Sequence, residues 1–246
     1  MKKQFITAFL IMLSGIALGQ DLSFGGFLPA WNQTGKINKK FNYNFFISTT
    51  IDAFKTNYNN IEYPAKDLQL YIQPSIIYTL NKDWNFAVSY TYQRNNPITQ
   101  DFSNEHRLWQ QAIFAHSIST GRMTHRVRME ERFIENKITN SYPLSTRARY
   151  QIGFNIPFQG KTLDPKEFYF NTYNEFYFSL TGIKNATYSE NWTYLGTGYN
   201  LGKMGKLELG YLLQTAVRNP QKDLRFLHLA QIMWITNFNF FKKTIN

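Results

Sequence analysis

Between Thr124 and Phe133 the chain reads THRVRMEERF, and its charges fall on alternate residues. Arg126, Arg128, Glu130 and Arg132 take the even numbers, while Met123, His125, Val127, Met129, Glu131 and Phe133 take the odd ones. Successive side chains of a strand point to opposite faces, so a strand here is charged on one face and largely apolar on the other. A helix would scatter Arg126, Arg128 and Glu130 at steps of about 100° and leave no apolar stripe. His125 and Glu131 interrupt the apolar face.

The same period recurs. Leu144, Ala148, Tyr150, Ile152, Phe154 and Ile156 alternate with Ser145, Arg147, Arg149, Gln151 and Asn155. Phe168, Phe170, Phe176, Phe178 and Leu180 alternate with Glu167, Tyr169, Asn171, Tyr173, Glu175 and Tyr177. Leu207, Leu209, Tyr211 and Leu213 alternate with Glu208, Gly210 and Gln214, and Ile232, Trp234, Phe238 and Phe240 share a side. Each segment is longer than the five or six residues typical of soluble strands and long enough to cross a bilayer at a tilt, which takes about 9–11. The pattern predicts an all-β fold, a transmembrane antiparallel up-and-down β-barrel. A secreted β-sandwich also alternates, but strands of this length are unusual in one.

The ends and the composition fit export. Lys2 and Lys3 precede an apolar run from Phe5 to Leu18 that is short for a membrane span, and Ala17-Leu18-Gly19 suits signal peptidase. Residues 1–19 are therefore expected to be a cleaved signal peptide and residues 20–246 the barrel domain. Aromatics are abundant, with 22 Phe and 16 Tyr. Cys is absent, so disulfides and thiolate metal sites are excluded. The net charge of +11 loses two lysines with the leader. In an exported chain the anionic partners are outer-membrane lipids, lipopolysaccharide or acidic solutes rather than nucleic acid.

Candidate strands fall near 24–36, 41–53, 68–80, 84–95, 105–118, 122–134, 144–157, 167–180, 191–201, 206–217 and 226–241. The connections INKK, LNKD, STGR and LGKMGK are tight, and the link at 158–166 is somewhat longer. The alternate links, around 54–67, 96–104, 135–143, 181–190 and 218–225, are longer and rich in Asn, Pro and Lys. Short periplasmic turns and longer external loops are the habit of outer-membrane barrels, which also use even strand numbers in bacterial single chains. The expectation is about ten spans from residue 41 onward, with twelve as the alternative. Residues 20–37 then plug or cap the barrel or add a strand. The barrel-assembly machinery would insert such a chain into the bacterial outer membrane.

EHRLWQQ from Glu105, HRVRMEERF from His125, TRARYQIGFNIPF from Thr146, YNEFYFSL from Tyr173, NWTYLGTGYNL from Asn191 and LELGY from Leu207 follow one another in a characteristic order. In this the chain resembles an uncharacterised family of bacterial outer-membrane β-barrels, domain of unknown function 2490. The resemblance covers most of the chain and implies an outer-membrane barrel with no assigned activity. Where that family tends to carry Asn-Arg, this chain has Asn191-Trp192.

The inner face carries the chemistry. Parity places Glu105, Arg107, Arg126, Arg128, Glu130, Arg132, Arg147, Arg149, Glu175 and Glu208 on it as a lumen charge cluster. Guanidinium forks pair with carboxylates in bidentate fashion. Such a cluster can stiffen a narrow structural or narrow-pore barrel, or it can line an anion-selective channel or a small-ligand-binding barrel for an anionic solute.

A lipid-modifying enzyme would need a Ser–His pair with an orienting group. His116 and His125 have outward parity, Ser117 and Ser119 do not face His116, and no GxSxG elbow exists. No catalytic residue, metal ligand or cofactor is assigned. Trp31, Trp84, Trp109, Trp192 and Trp234 are expected in interfacial girdles.

Overall fold

The computed structural model describes residues 21–58 and 60–240. The expected leader and its cleavage point lie outside the described residues. Strands form as β1 (Leu22–Lys36), β2 (Phe41–Asp52), β3 (Thr56–Tyr58), β4 (Ile61–Tyr63), β5 (Lys66–Thr79), β6 (Trp84–Asn95) and β7 (Ser103–Ser117). They continue as β8 (Arg122–Ile134), β9 (Leu144–Pro157), β10 (Phe168–Ser179), β11 (Tyr188–Asn200), β12 (Lys206–Val217) and β13 (Leu224–Asn237). A 3₁₀ turn, Gly202–Met204, sits between β11 and β12. Among the described residues no helix is long and apolar enough to cross a membrane.

All but β3 and β4 close into one barrel, in the order β1-β13-β12-β11-β10-β9-β8-β7-β6-β5-β2. Among the described residues the barrel therefore has eleven strands, as many as the candidate segments and between the ten and the twelve that the even-number habit led to expect. Residues 22–36 neither plug nor cap it; they form a full strand. Up-and-down connections reverse direction at each step, so the first and last of an odd set run the same way. Accordingly β1 is antiparallel to β2 but parallel to β13, from Leu22 beside Arg225 to Thr34 beside Asn237. The rule of even strand numbers fails at this one seam. The link between β2 and β5 folds into the small β3–β4 hairpin instead of staying irregular.

Side chains follow the parity of the sequence. Val127 is 53% exposed on the outer wall, and Arg128, the next residue, is 5% exposed inside. Phe168, Leu209 and Ile232 are also exposed outward, while Tyr169, Glu208 and Gln231 are buried.

The interior divides into sectors. Leu28, Tyr194, Leu212, Leu227 and Leu229 make an apolar cluster from β1, β11, β12 and β13. Thr50, Gln73, Ser75, Thr91 and Gln93, from β2, β5 and β6, make a neutral polar wall. Most of the buried charged residues occupy β7 to β10 between them, with Asp52 of β2 and Glu208 of β12 buried elsewhere.

Glycine decides how the two large tyrosines fit. Tyr169 lies opposite Gly198, and a Cβ there would fall inside the Tyr169 ring. Tyr194 takes the same kind of space above Gly196 and Gly210. With no side chain to displace, both rings lie against the sheet, and both are fully buried.

The tryptophans correct the expected girdles. Trp31, Trp84 and Trp234 stand exposed on the outer wall, all toward the end with the short links. Trp109 is buried inside the barrel, and Trp192 is half-buried, with its ring 5.2 Å from that of Tyr177. Both share the inward parity of their charged neighbours, and parity outweighs residue type.

Candidate functional site, a charged belt inside the barrel

Strands β7, β8, β9 and β10 lie side by side, so alternate residues form rungs across the inner wall. Arg107 stands opposite Arg132, Gln111 opposite Arg128, and Arg128 opposite Arg149. Like charges facing across strands are unfavourable unless something bridges them. Carboxylates do so for most of these rungs.

Glu105 takes Arg107 Nη2 at 2.7 Å and Arg132 in two contacts, Nε at 2.7 Å and Nη2 at 2.9 Å. Glu130 is fully buried and collects four guanidiniums. Arg149 Nη1 stands at 2.6 Å and Arg147 Nη2 at 2.7 Å, with Arg107 at 3.5 Å and Arg128 at 3.8 Å. Glu175 Oε1 accepts from Arg126 Nη2 at 2.6 Å and Arg149 Nε at 2.8 Å. Tyr177 OH donates to the other Glu175 oxygen and accepts from Arg149 Nη2 at 2.8 Å.

Arg128 is held differently. Its Nε and Nη2 both donate to Gln111 Oε1, at 3.0 and 2.8 Å, and its Cζ lies 3.9 Å from the centre of the Trp109 ring. Trp109 is fixed in turn, its indole N–H reaching Gln73 Oε1 at 3.2 Å and Thr91 Oγ1 at 3.1 Å.

Of the ten residues marked by parity, nine meet in this belt. Glu208 does not. It lies under the tyrosine shelf, accepting from Tyr169 OH at 2.7 Å and from Asn171 Nδ2 at 3.1 Å. Parity missed Glu190, which ties Arg147 at 3.1 Å. The residue lies in β11 close to its start, in a stretch whose Lys and Asn content reads as a loop. Its neighbours Trp192 and Tyr194 continue the inward side, and that was the available signal.

A cavity of about 520 Å³ lies against the belt, lined by Arg126, Arg128 and Gln111 on one side and by Asn32, Asn44 and Gln231 on another. No cluster of His, Asp or Glu able to hold a metal is present among the described residues.

The histidines pair with tyrosines on the outer wall. Tyr90 OH lies 2.6 Å from His106 Nδ1, Tyr150 OH 2.8 Å from His125 Nδ1, and Tyr211 OH 2.6 Å from His228 Nδ1. His116 stacks with His125, the ring centres 6.0 Å apart. The serine that meets a histidine is Ser23, whose Oγ is 3.1 Å from His228 Nε2. Sequence spacing could not show this pair, because it crosses the parallel seam.

No curated protein and no solved structure matches the chain. A family model does, over residues 29–225, which run from within β1 to the start of β13. The chain therefore belongs to the family of proteins of unknown function designated DUF2490.

Proposed function

We propose that the chain is a bacterial outer-membrane barrel, residues 1–19 its leader and 20–246 its mature domain. Its interior is sealed by the ion-pair belt rather than open to flow. The outer wall supports a membrane setting. Phe27, Ile76, Val88, Leu108, Val127, Leu195, Leu209 and Ile232 are all exposed there, where an aqueous surface would leave them unburied. Outer-membrane lipids and lipopolysaccharide are then its surroundings, and the barrel-assembly machinery its partner during insertion. Intact-mass measurement of the outer-membrane protein tests the leader. A mature chain beginning at Gln20 is expected, and retention of Met1 to Gly19 rules it out.

The observation that carries the sealed reading is burial. Glu105, Arg107, Arg128, Glu130, Arg147, Arg149 and Glu175 are all buried, although charged groups lining an aqueous channel stay wet. Planar-bilayer recording of the refolded protein tests it. No stable conductance steps are expected. A steady anion-biased current would replace this reading with that of a channel.

A second reading rests on Ser23, His228 and Tyr211. In the tautomer with its proton on Nδ1, His228 donates to the Tyr211 oxygen and accepts from the Ser23 hydroxyl, as a general base must. All three side chains face outward and are exposed, where acyl chains of lipid would lie. Among the described residues the two other His–Tyr pairs have no such serine, and they favour packing as the shared role. A fluorophosphonate probe decides: labelling of wild type and not of S23A supports an acyl-transfer site, and an unlabelled wild type removes it.

A further inference from the structure

The belt is not electrically balanced. Arg107, Arg126, Arg128, Arg132, Arg147 and Arg149 face Glu105, Glu130, Glu175 and Glu190, six guanidiniums to four carboxylates, which leaves two cations in excess. Buried charge without compensation is costly, so an excess of this kind marks a place where a counter-charge is stabilising.

Hydrogen bonding locates the excess. Arg107 and Arg132 share Glu105, Arg147 and Arg149 share Glu130, and Arg126 reaches Glu175. Arg128 has no carboxylate oxygen nearer than 3.8 Å among the described residues, and two of its nitrogens are spent on a neutral amide. One turn of the pleat away, Arg126 keeps its Nε–H buried and donating to no atom among the described residues. Both guanidiniums line the cavity of about 520 Å³, as does Thr124, which shares their face of β8. The carboxylates that line the cavity, Glu175 and Glu190, stand on the belt side and are already engaged by Arg126, Arg149 and Arg147, while the far side offers amides such as Asn32, Asn44 and Gln231. Its size falls within the range of about 300–1,000 Å³ usual for small-molecule sites.

We propose that the cavity is a binding site for a small oxyanion, a carboxylate or phosphate group, seated between Arg126 and Arg128. Arg128 is pre-organised for this by Gln111 and Trp109, so little side-chain freedom is lost when an anion docks. The amide wall suits a neutral, hydroxyl-bearing remainder of the ligand. The site rests on the reading of a barrel interior closed by its belt, and it is separable from that reading by experiment.

Trp109 supplies the probe, because its ring lies directly beneath the guanidinium that would take the anion. Inorganic phosphate and acetate are titrated separately into the refolded barrel, with chloride holding ionic strength constant, and tryptophan fluorescence is followed. A saturable response to at least one of them is expected, and comparing the two shows which oxyanion the site prefers. R128Q should bind at least tenfold more weakly, and W109F should lose the response. No saturable response in wild type, the same affinity in R128Q, or a response that persists in W109F each overturns the site. If R128Q fails to form a heat-modifiable barrel, Q111A takes its place. Released from its anchor, Arg128 should then bind several-fold more weakly, and unchanged affinity overturns the proposal. Conductance of the same sample separates the two ideas. A current together with anion binding refutes only the sealed belt, and silence without binding refutes only the site.

Discussion

Oε1 of Glu130 stands 2.6 Å from Nη1 of Arg149, inside a ring of guanidiniums and out of reach of solvent. Removing this carboxylate takes the closest partner from both Arg147 and Arg149 and leaves them only Glu190 at 3.1 Å and Glu175 at 2.8 Å, whereas removing Arg128 leaves no carboxylate short of a close partner. Losing one member of a buried ion pair costs about 3–5 kcal/mol. Losing a stacked cation costs about 0.5–2 kcal/mol. Glu130→Ala should therefore lower the urea midpoint of the barrel more than Arg128→Ala does. The opposite ranking would mean that Glu130 is not the hub of the belt.

The Tyr169 ring occupies space that exists only because residue 198 is glycine. Gly198→Val should push the ring off the sheet, at a cost of about 1–3 kcal/mol for overpacking. Tyr169→Phe keeps the ring and loses one hydrogen bond to Glu208, which Asn171 still holds, so its cost is nearer 1 kcal/mol. Unfolding of the two variants in detergent checks the order. A tolerated Gly198→Val beside a damaging Tyr169→Phe would contradict the packing.

Val127 and Arg128 sit on opposite walls of β8. An arginine on a lipid-facing wall near mid-membrane costs about 2–4 kcal/mol. Val127→Arg should impair assembly, visible as loss of the heat-modifiable band. Fluorophores on single cysteines give a direct check: lipid-borne spin labels should quench one at Val127 and spare one at Arg128. Quenching in the reverse order would turn the barrel inside out.

The longer links, those holding Asn140 and Asn219, lie at one end of the barrel, and Lys82 lies in a tight turn at the other. With the longer links outside the cell, cysteines at Asn140 and Asn219 should react with an impermeant maleimide on whole cells, and one at Lys82 should not. The chain has no native cysteine to confuse the assay. Labelling at Lys82 alone would invert the orientation.

Much of this fold is written in period two. Arg128 and Val127 could be assigned to opposite walls from their numbers alone, because a strand has only two sides. The strand count could not be read so simply. Whether residues 22–36 pair with β13 depends on a contact across some two hundred positions, and no local pattern encodes it. Trp109 shows the other kind of difficulty. Its residue type suggests an interface, while its parity with Glu105 and Arg107 points inward, and the structure follows parity. The balance of charge within the belt needed distances. Parity places six of the arginines on the inner face, but which of them lacks a close carboxylate depends on where Gln111 and Glu130 reach.

The parallel seam has a consequence for the order of assembly. Leu22 must wait for Arg225, so the barrel cannot shut until the last strand has been made. Pairing at such separation is the slowest kind to form, because the intervening chain loses its freedom before any contact repays it. Meanwhile β2 and β13 run in opposite directions and are geometrically able to zip together, leaving β1 outside a ten-stranded ring. That ring would lack Leu28, the part of the apolar cluster that β1 supplies. Competition between a first strand and its own hairpin partner for the same edge is thus built into the topology, and the apolar cluster is what rewards the slower closure.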